Sequence, residues 1–242
     1  MAHGHPDYGR SGPLSTVHRV DDMGELAARL ASIDTFDRRG NVVWMDDFEN
    51  NLKKWLVTLT GTGADIVLSV NAARNGGASA KITTGNAAGN TEHLAHYGSY
   101  PILSKVGFEI AVTLNVNVSF VEVLVGAEDG TLLKYGAVRY LPNSSRLDLY
   151  NSSGAWVTIA SSLSPYFSDY AFHPLKLVID LATGKYVRVL FAGQSWDLSA
   201  YDLYSTAFLV HNFLWVNIST ASQAAASASI YVDDAIITQN EP

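Results

Sequence analysis

Two glutamates, Glu109 and Glu122, lie on neighbouring predicted strands and are the first candidates for acid–base chemistry. Glu109 is on the polar side of an alternating run, and Glu122 lies within the next apolar segment. Two carboxyl groups that face each other across roughly 5–9 Å can cleave a glycosidic bond. Because polar-side glutamates of a large sheet are usually solvated, this pattern alone does not predict an enzyme.

A second candidate is the pair His93 and His96, next to Glu92. Histidines at this spacing bind zinc when they share one face of a helix and a third ligand is present. Here the segment 90–100 is predicted to be a loop, and no third ligand is evident. The chain also lacks a serine elbow and a phosphate-binding glycine loop. The sequence therefore predicts a protein that is not an enzyme and has no catalytic residues.

Aromatic side chains are the better candidates for a functional surface, since sugar rings stack on them. Trp156 directly follows the turn 151–154, and Trp196 lies in the segment 193–197. With Tyr150 and Tyr201, these two tryptophans are the predicted ligand-binding residues. Trp215 alternates with Phe213 and is predicted to lie in the core.

The strongest structural signal is an alternation of apolar with small or polar residues over positions 106–118. The apolar members are Val106, Phe108, Ile110, Val112, Leu114, Val116 and Val118. A period of two predicts a strand of about thirteen residues with one face on a core and the other towards solvent. Such alternation is typical of an antiparallel sheet.

Ten or more short strands separated by turns follow residue 41, which predicts an all-β, two-sheet jelly-roll sandwich over residues 41–242. Residues 1–40 are predicted to form an extended arm with one short helix at 21–30. Asp21 or Asp22 can cap that helix, and Leu26 and Leu30 share its apolar face. A helix this short must dock on something, either the sandwich or another subunit.

Two short segments resemble jelly-roll carbohydrate-binding modules and their concanavalin-like relatives. One is Asp47-Phe48-Glu49, followed by Trp55 and the segment 77–82; the other is the run 230–236, Ile-Tyr-Val-Asp-Asp-Ala-Ile. The resemblance implies that the first and last strands lie side by side. It also implies a structural calcium ion held by Asp47 and Glu49 together with Asp233 or Asp234, since calcium prefers oxygen ligands.

The composition excludes several classes of partner. A formal charge of −7 without any run of Lys and Arg argues against binding to nucleic acid. No stretch approaches the ~20 apolar residues of a membrane span. The first ten residues have no apolar core of a secretory signal, so the protein is expected to stay where it is made. The absence of cysteine excludes a disulfide scaffold.

Two functional hypotheses follow. The first is a non-enzymatic structural protein that oligomerises through its N-terminal arm or binds other virion proteins, as a capsid decoration or tail component. It rests on the arm, the lack of catalytic residues and a vague resemblance of residues 24–44 to uncharacterised proteins encoded in bacteriophage-like genomes. The alternative is a calcium-stabilised carbohydrate-binding module.

Overall fold

A computed structural model describes residues 39–99, 104–207 and 211–242, and these residues form sixteen strands and one short 3-10 turn. The strands are β1 (Asn41–Asp46), β2 (Leu56–Thr58), β3 (Asp65–Ser69), β4 (Ser79–Thr83), β5 (Thr91–Ser99), β6 (Lys105–Leu114), β7 (Val118–Asp129), β8 (Leu132–Leu141), β9 (Arg146–Tyr150), β10 (Trp156–Ala160), β11 (Ser168–Asp180), β12 (Lys185–Phe191), β13 (Gln194–Asp197), β14 (Tyr204–Ala207), β15 (Asn212–Ser222) and β16 (Ser229–Gln239). The 3-10 turn, Pro142–Ser144, follows β8.

The strands form two antiparallel sheets of eight strands each. In the front sheet the order is β10-β9-β8-β7-β15-β5-β2, with β14 also paired to β8. In the back sheet it is β13-β12-β11-β6-β16-β4-β3, with β1 also paired to β16. The predicted all-β, two-sheet jelly-roll sandwich is confirmed. As the resemblance implied, the first and last strands, β1 and β16, are neighbours.

The hydrophobic core lies between the two sheets. The back sheet contributes Phe108 and Ile110 of β6, and the front sheet contributes Val121, Val123 and Val125 of β7, all fully buried. Each such side chain stabilises the fold by about 1.5–3 kcal/mol relative to exposure. Because side chains alternate along a strand, the residues between these core positions point away from the core, onto the outer faces of the sheets.

The long alternating run differs from its prediction in two respects. It is divided between β6 and β7, because Asn115 closes a turn by accepting the N–H of Asn117 at 2.9 Å. Its polar side is also buried rather than solvated, with Glu109 only 2% exposed. Lys176 of β11 and Glu241 of the C-terminal segment form ion pairs there, so charge compensation replaces solvent.

The segment predicted as a loop with exposed histidines, 90–100, instead contains β5. That strand pairs with β15 on one side and β2 on the other. Its mixed polar composition gives no clear strand pattern, because β-propensity depends on the sheet environment more than on residue type.

The predicted N-terminal arm and helix lie outside the described residues, apart from Arg39 and Gly40. They therefore stay predictions. In the described part of the chain, no helix has the length and apolarity needed to cross a membrane.

Candidate functional site

A row of polar side chains crosses the outer face of the front sheet. Strand register places one such residue from each of six strands next to the following one. In order from β5 to β10 this polar row consists of His93, Ser219, Glu122, Arg139, Asp148 and Thr158. Opposed residues on neighbouring strands have Cβ atoms about 4.5–5.5 Å apart, close enough for their side chains to interact.

An aromatic strip runs beside the polar row on the same face. Its rings are Trp156, Tyr150, Tyr204, Tyr135, Trp215 and Tyr97. Neighbouring ring centroids are 5.1 Å apart for Trp156–Tyr150, 5.7 Å for Tyr150–Tyr204, 5.1 Å for Tyr204–Tyr135, 6.0 Å for Tyr135–Trp215 and 6.5 Å for Trp215–Tyr97. The strip passes from β10 to β5, five inter-strand spacings or about 24 Å.

Gly126 makes room for the middle of the strip. It lies on β7 between Tyr135 of β8 and Trp215 of β15. A Cβ atom at this position would be 2.3 Å from Trp215 Nε1 and 2.8 Å from Tyr135 Cβ. Only glycine therefore lets the indole lie across β7, which places both rings in one continuous surface.

Glu122 is the titratable group at the centre of the polar row. Its Oε1 accepts a hydrogen bond from Ser219 Oγ at 3.1 Å. Burial raises the pKa of Glu122 to about 7, against the lowering effects of that bond and of the Arg139 charge. Loss of water disfavours the carboxylate more than these two contacts favour it. At neutral pH the group therefore exists in both protonation states.

Arg139 lies opposite Glu122 and is oriented by two contacts. Its Nη2 donates to Asp148 Oδ2 at 3.5 Å, and its guanidinium carbon lies 4.0 Å above the ring of Trp156. Asp148 is itself 1% exposed, and its Oδ1 accepts from Thr158 Oγ1 at 2.9 Å and pairs with Arg146 Nε at 3.1 Å. These contacts place a cation beside Glu122 and the aromatic strip.

Two polar atoms on the outer face of β15 are buried and have no hydrogen-bond partner among the described residues. They are Nε1 of Trp215, a donor, and Oδ1 of Asn217, an acceptor. Asn217 is 8% exposed, and its amide nitrogen is 3.2 Å from His93 Nδ1. A buried polar group without a partner costs roughly 1–3 kcal/mol.

Tyr186 of the back sheet supports the strip from beneath. Its hydroxyl donates to the carbonyl of Tyr150 at 2.5 Å and accepts the N–H of Ala137 at 2.9 Å. The hydroxyl thus bridges β9 and β8 just beyond the last ladder pair, Val138–Leu149. This link ties the position of the Tyr150 backbone to the core.

The structure brings together two of the four predicted ligand-binding residues. Trp156 and Tyr150 are neighbours in the aromatic strip. Trp196 lies on β13, at the edge of the back sheet, and Tyr201 follows that strand; both pack against the hydrophobic core. The prediction that Trp215 is a core residue is wrong, because Leu214 and Val216 on either side of it occupy the core.

The structure does not bring together the residues of the other two candidate sites, the glutamate pair and the histidine pair. Glu109 and Glu122 are on different sheets, each on the outer face, so they do not form a pair. His93 faces the polar row, whereas His96 stacks on Trp44 at 3.9 Å between centroids. Residues three apart on a strand point to opposite faces, which separates these imidazoles.

Three of the predicted calcium ligands, Asp233, Asp234 and Glu49, accept hydrogen bonds from N–H donors of the segment 74–78. Asp233 Oδ2 accepts the backbone N–H of Arg74 at 2.8 Å, and Asp234 Oδ2 accepts from the Arg74 guanidinium at 2.5 Å. Glu49 Oε1 accepts the N–H of Gly77 at 2.8 Å. Asp47 raises the pKa of Asp234, although burial is the larger cause. Among the described residues, no group of three or more His, Asp or Glu side chains is arranged to hold a metal ion.

Sequence reasoning missed most of the polar row. Arg139 and Glu122 carry the one available signal, a charged residue between apolar neighbours within a strand. Such residues are seldom placed inside an apolar strand without a partner or a function. Ser219 and Tyr135 have no comparable signal, because only the strand register brings them to the row and the strip.

No model of a protein family matches the chain, and no curated protein matches it in sequence. Several solved structures share its fold. The cellulose-induced protein Cip1 is 15% identical, with 81% of this chain and 96% of that one covered and a TM-score of 0.56. The alginate lyase vAL-1 from Chlorella virus is 9% identical, with 82% and 100% covered and a TM-score of 0.55. A protein of unknown function with a galectin-like fold from Bacillus subtilis is 12% identical, with 84% and 97% covered and a TM-score of 0.54. At these identities the likeness concerns the fold.

Proposed function

We propose that the chain binds a carbohydrate chain along the aromatic strip of the front sheet. The observation that carries this proposal is the continuity of six aromatic rings beside a polar row on one face. Aromatic faces stack on the apolar sides of sugar rings, and polar side chains bind the hydroxyl groups at the edges. A strip about 24 Å long suits a polysaccharide better than a single sugar.

The test is a titration of the full chain with soluble polysaccharides, neutral and acidic, by calorimetry. Tyr97 of the strip is 50% exposed, and Tyr170 of the back sheet is 76% exposed, so they form a matched pair of surface tyrosines. We expect Tyr97→Ala and Trp156→Ala each to weaken binding by about tenfold, or ~1.4 kcal/mol. Tyr170→Ala should leave the affinity unchanged.

Two results would contradict the proposal. One is the absence of binding to every polysaccharide in the set. The other is an equal loss of affinity in the Tyr97→Ala and Tyr170→Ala variants, which would indicate non-specific adsorption rather than a site on the front sheet.

The hypothesis of a virion structural protein that oligomerises through its arm depends on residues 1–40, of which the structure describes Arg39 and Gly40. It stays a prediction. Light scattering tests it directly, because an oligomer of defined mass that becomes monomeric when residues 1–40 are deleted would support arm-mediated assembly. A monomer at every concentration would oppose it.

A further inference from the structure

We propose that the polar row is an active site for β-elimination, in which Glu122 removes the proton next to the carboxylate of a uronic-acid residue and Arg139 neutralises that carboxylate. This inference rests on the proposed function, because the sugar must first lie on the aromatic strip. It departs from the sequence-based prediction of a protein without catalytic residues.

Arg139 has the donors that a ligand carboxylate requires. A guanidinium carries five N–H donors in a planar fork, and it binds a carboxylate through two of them. The one hydrogen bond that Arg139 makes within the described part of the chain is long, 3.5 Å to Asp148, and its buried Nε has no acceptor there. Trp156 holds the guanidinium plane by stacking at 4.0 Å. The cation is therefore fixed in place, and its Nη1 makes no hydrogen bond to the described residues.

Glu122 has an oxygen available for proton transfer. Ser219 donates to Oε1 at 3.1 Å, and Oε2 makes no hydrogen bond to the described residues. Burial raises the pKa of Glu122 to about 7, and a base of this pKa is well matched to proton abstraction at neutral pH. The titratable groups around it are Arg139 and Tyr135 on β8, Tyr186 from the back sheet, and His93 beyond Ser219.

The arrangement favours elimination over hydrolysis. Hydrolysis by the two-carboxylate mechanism needs a second reactive carboxyl group opposite the first. The other carboxyl group of the polar row belongs to Asp148, which is 1% exposed. Its Oδ1 contacts Arg146 and Thr158, and its Oδ2 contacts Arg139. Asp148 therefore acts as a positioning residue for Arg139. A carboxyl group bonded only through Oε1, beside a cation that makes one long hydrogen bond to the described residues, is a pair suited to proton abstraction next to a carboxylate.

The step is balanced without a further reactant. The C5–H bond of the uronate breaks and its proton passes to Glu122 Oε2. The electron pair forms the C4=C5 double bond while the C4–O glycosidic bond breaks, and the leaving oxygen takes a proton from water. Glu122 then returns its proton to the solvent, so no water is consumed.

The experiment incubates the full chain with polyglucuronate, alginate and polygalacturonate, with a neutral cellulose oligosaccharide as comparison. Ultraviolet absorbance reports unsaturated ends, and mass spectrometry distinguishes elimination from hydrolysis, which adds one water per cleavage. We expect cleavage of at least one polyuronate, with an activity that rises as Glu122 deprotonates around pH 7. Glu122→Gln should lower kcat by about 10²–10⁴-fold and leave polyuronate binding intact.

Two further variants make the test specific. Arg139→Lys keeps the charge but loses the planar fork, so it should raise KM for the polyuronate and lower kcat. Asp169→Asn, at an exposed carboxylate of the back sheet, should leave both constants unchanged.

Each alternative outcome separates this inference from the proposed function. Binding of polyuronates without any unsaturated product would overturn the elimination and leave the carbohydrate site in place, as would binding of neutral glycans alone. Products that contain an added water would also overturn it. The absence of binding to any glycan would overturn both proposals. Full activity of the Glu122→Gln variant would show that Glu122 is not the base of the catalytic step.

Discussion

Glu109 and Glu122 have the same side chain and similar positions on consecutive strands, but their surroundings are opposite. Glu109, on the outer face of the back sheet, is 2% exposed and lies 3.6 Å from the ammonium of Lys176. Lys176 is also 2.7 Å from Glu241, which in turn pairs with Arg188. Two buried carboxylates are thus balanced by two buried cations.

On the front sheet the compensation is weaker. Glu122 lies beside Arg139, which also pairs with Asp148, and the pKa of Glu122 is raised to about 7 because burial outweighs the attraction of that cation. Asp148 has a second cation, Arg146, whose side chain is 40% exposed. Trp215 Nε1 and Asn217 Oδ1 also lack partners in the described part of the chain. The comparison separates a compensated cluster of buried charges from a face on which a buried carboxyl group and two buried polar atoms lack comparable partners.

The largest expected effect comes from removing a cation from the buried charge cluster of the back sheet. Lys176→Met leaves Glu109 and Glu241 buried with one fewer cation, so we expect the free energy of unfolding to fall by about 3–5 kcal/mol. Urea unfolding measures this change in the free energy of unfolding. The matched control is Lys185→Met, which removes a salt bridge to Asp202 whose side chains are 45% and 61% exposed and should cost less than about 1 kcal/mol. Equal losses in the two variants would contradict the structural role of the buried charge cluster.

The next effect is the pH dependence of the free energy of unfolding that Glu122 of the front sheet causes. The folded-state pKa of Glu122 lies above its unfolded value of 4.5, at about 7. The folded state therefore holds the proton more tightly, and its contribution to stability is complete below pH 4.5 and lost as the pH rises through about 7. We expect the free energy of unfolding to fall over this window, with Glu122 supplying on the order of 1–3 kcal/mol.

The Glu122→Gln variant isolates that contribution. It should flatten the pH profile of Tm and equal or exceed the wild type in stability at pH 7. The remaining slope is due to other buried carboxyl groups, above all Asp233. Burial, and then the neighbouring Asp234, raise the pKa of Asp233 to about 7. A variant whose profile matches the wild type would show that Glu122 titrates normally.

The smallest expected effect concerns a third cluster of charge, at Asp233 and Asp234. Arg74 and backbone N–H groups already bind these carboxylates, so we expect Tm to be the same in calcium and in chelator. Arg74→Met should lower Tm, because it removes the cation from the buried carboxylate of Asp234. A Tm that rises with calcium would instead support the metal site that the family resemblance implies.

Much of the fold was predictable because a period of two along the chain is a local property. The turn signal at residues 151–154 and the two strands that it joins, β9 and β10, illustrate this. The aromatic pair Tyr150 and Trp156 followed from the same hairpin. Their contact needs only a short turn and its register.

What the sequence determined by itself is therefore the strand alternation, the antiparallel pairing and the two-sheet class, since all three depend on near neighbours in the chain. The tertiary structure decided which charged groups are paired on each face. Alternation says that Glu109 and Glu122 point away from a core, but it does not say which sheet each joins or what lies over it. Lys176 and Glu241, which compensate Glu109, are 67 and 132 residues away from it in sequence. Ser219 and Arg139, which flank Glu122, are likewise brought to it by strand pairing over long separations, which no local pattern records.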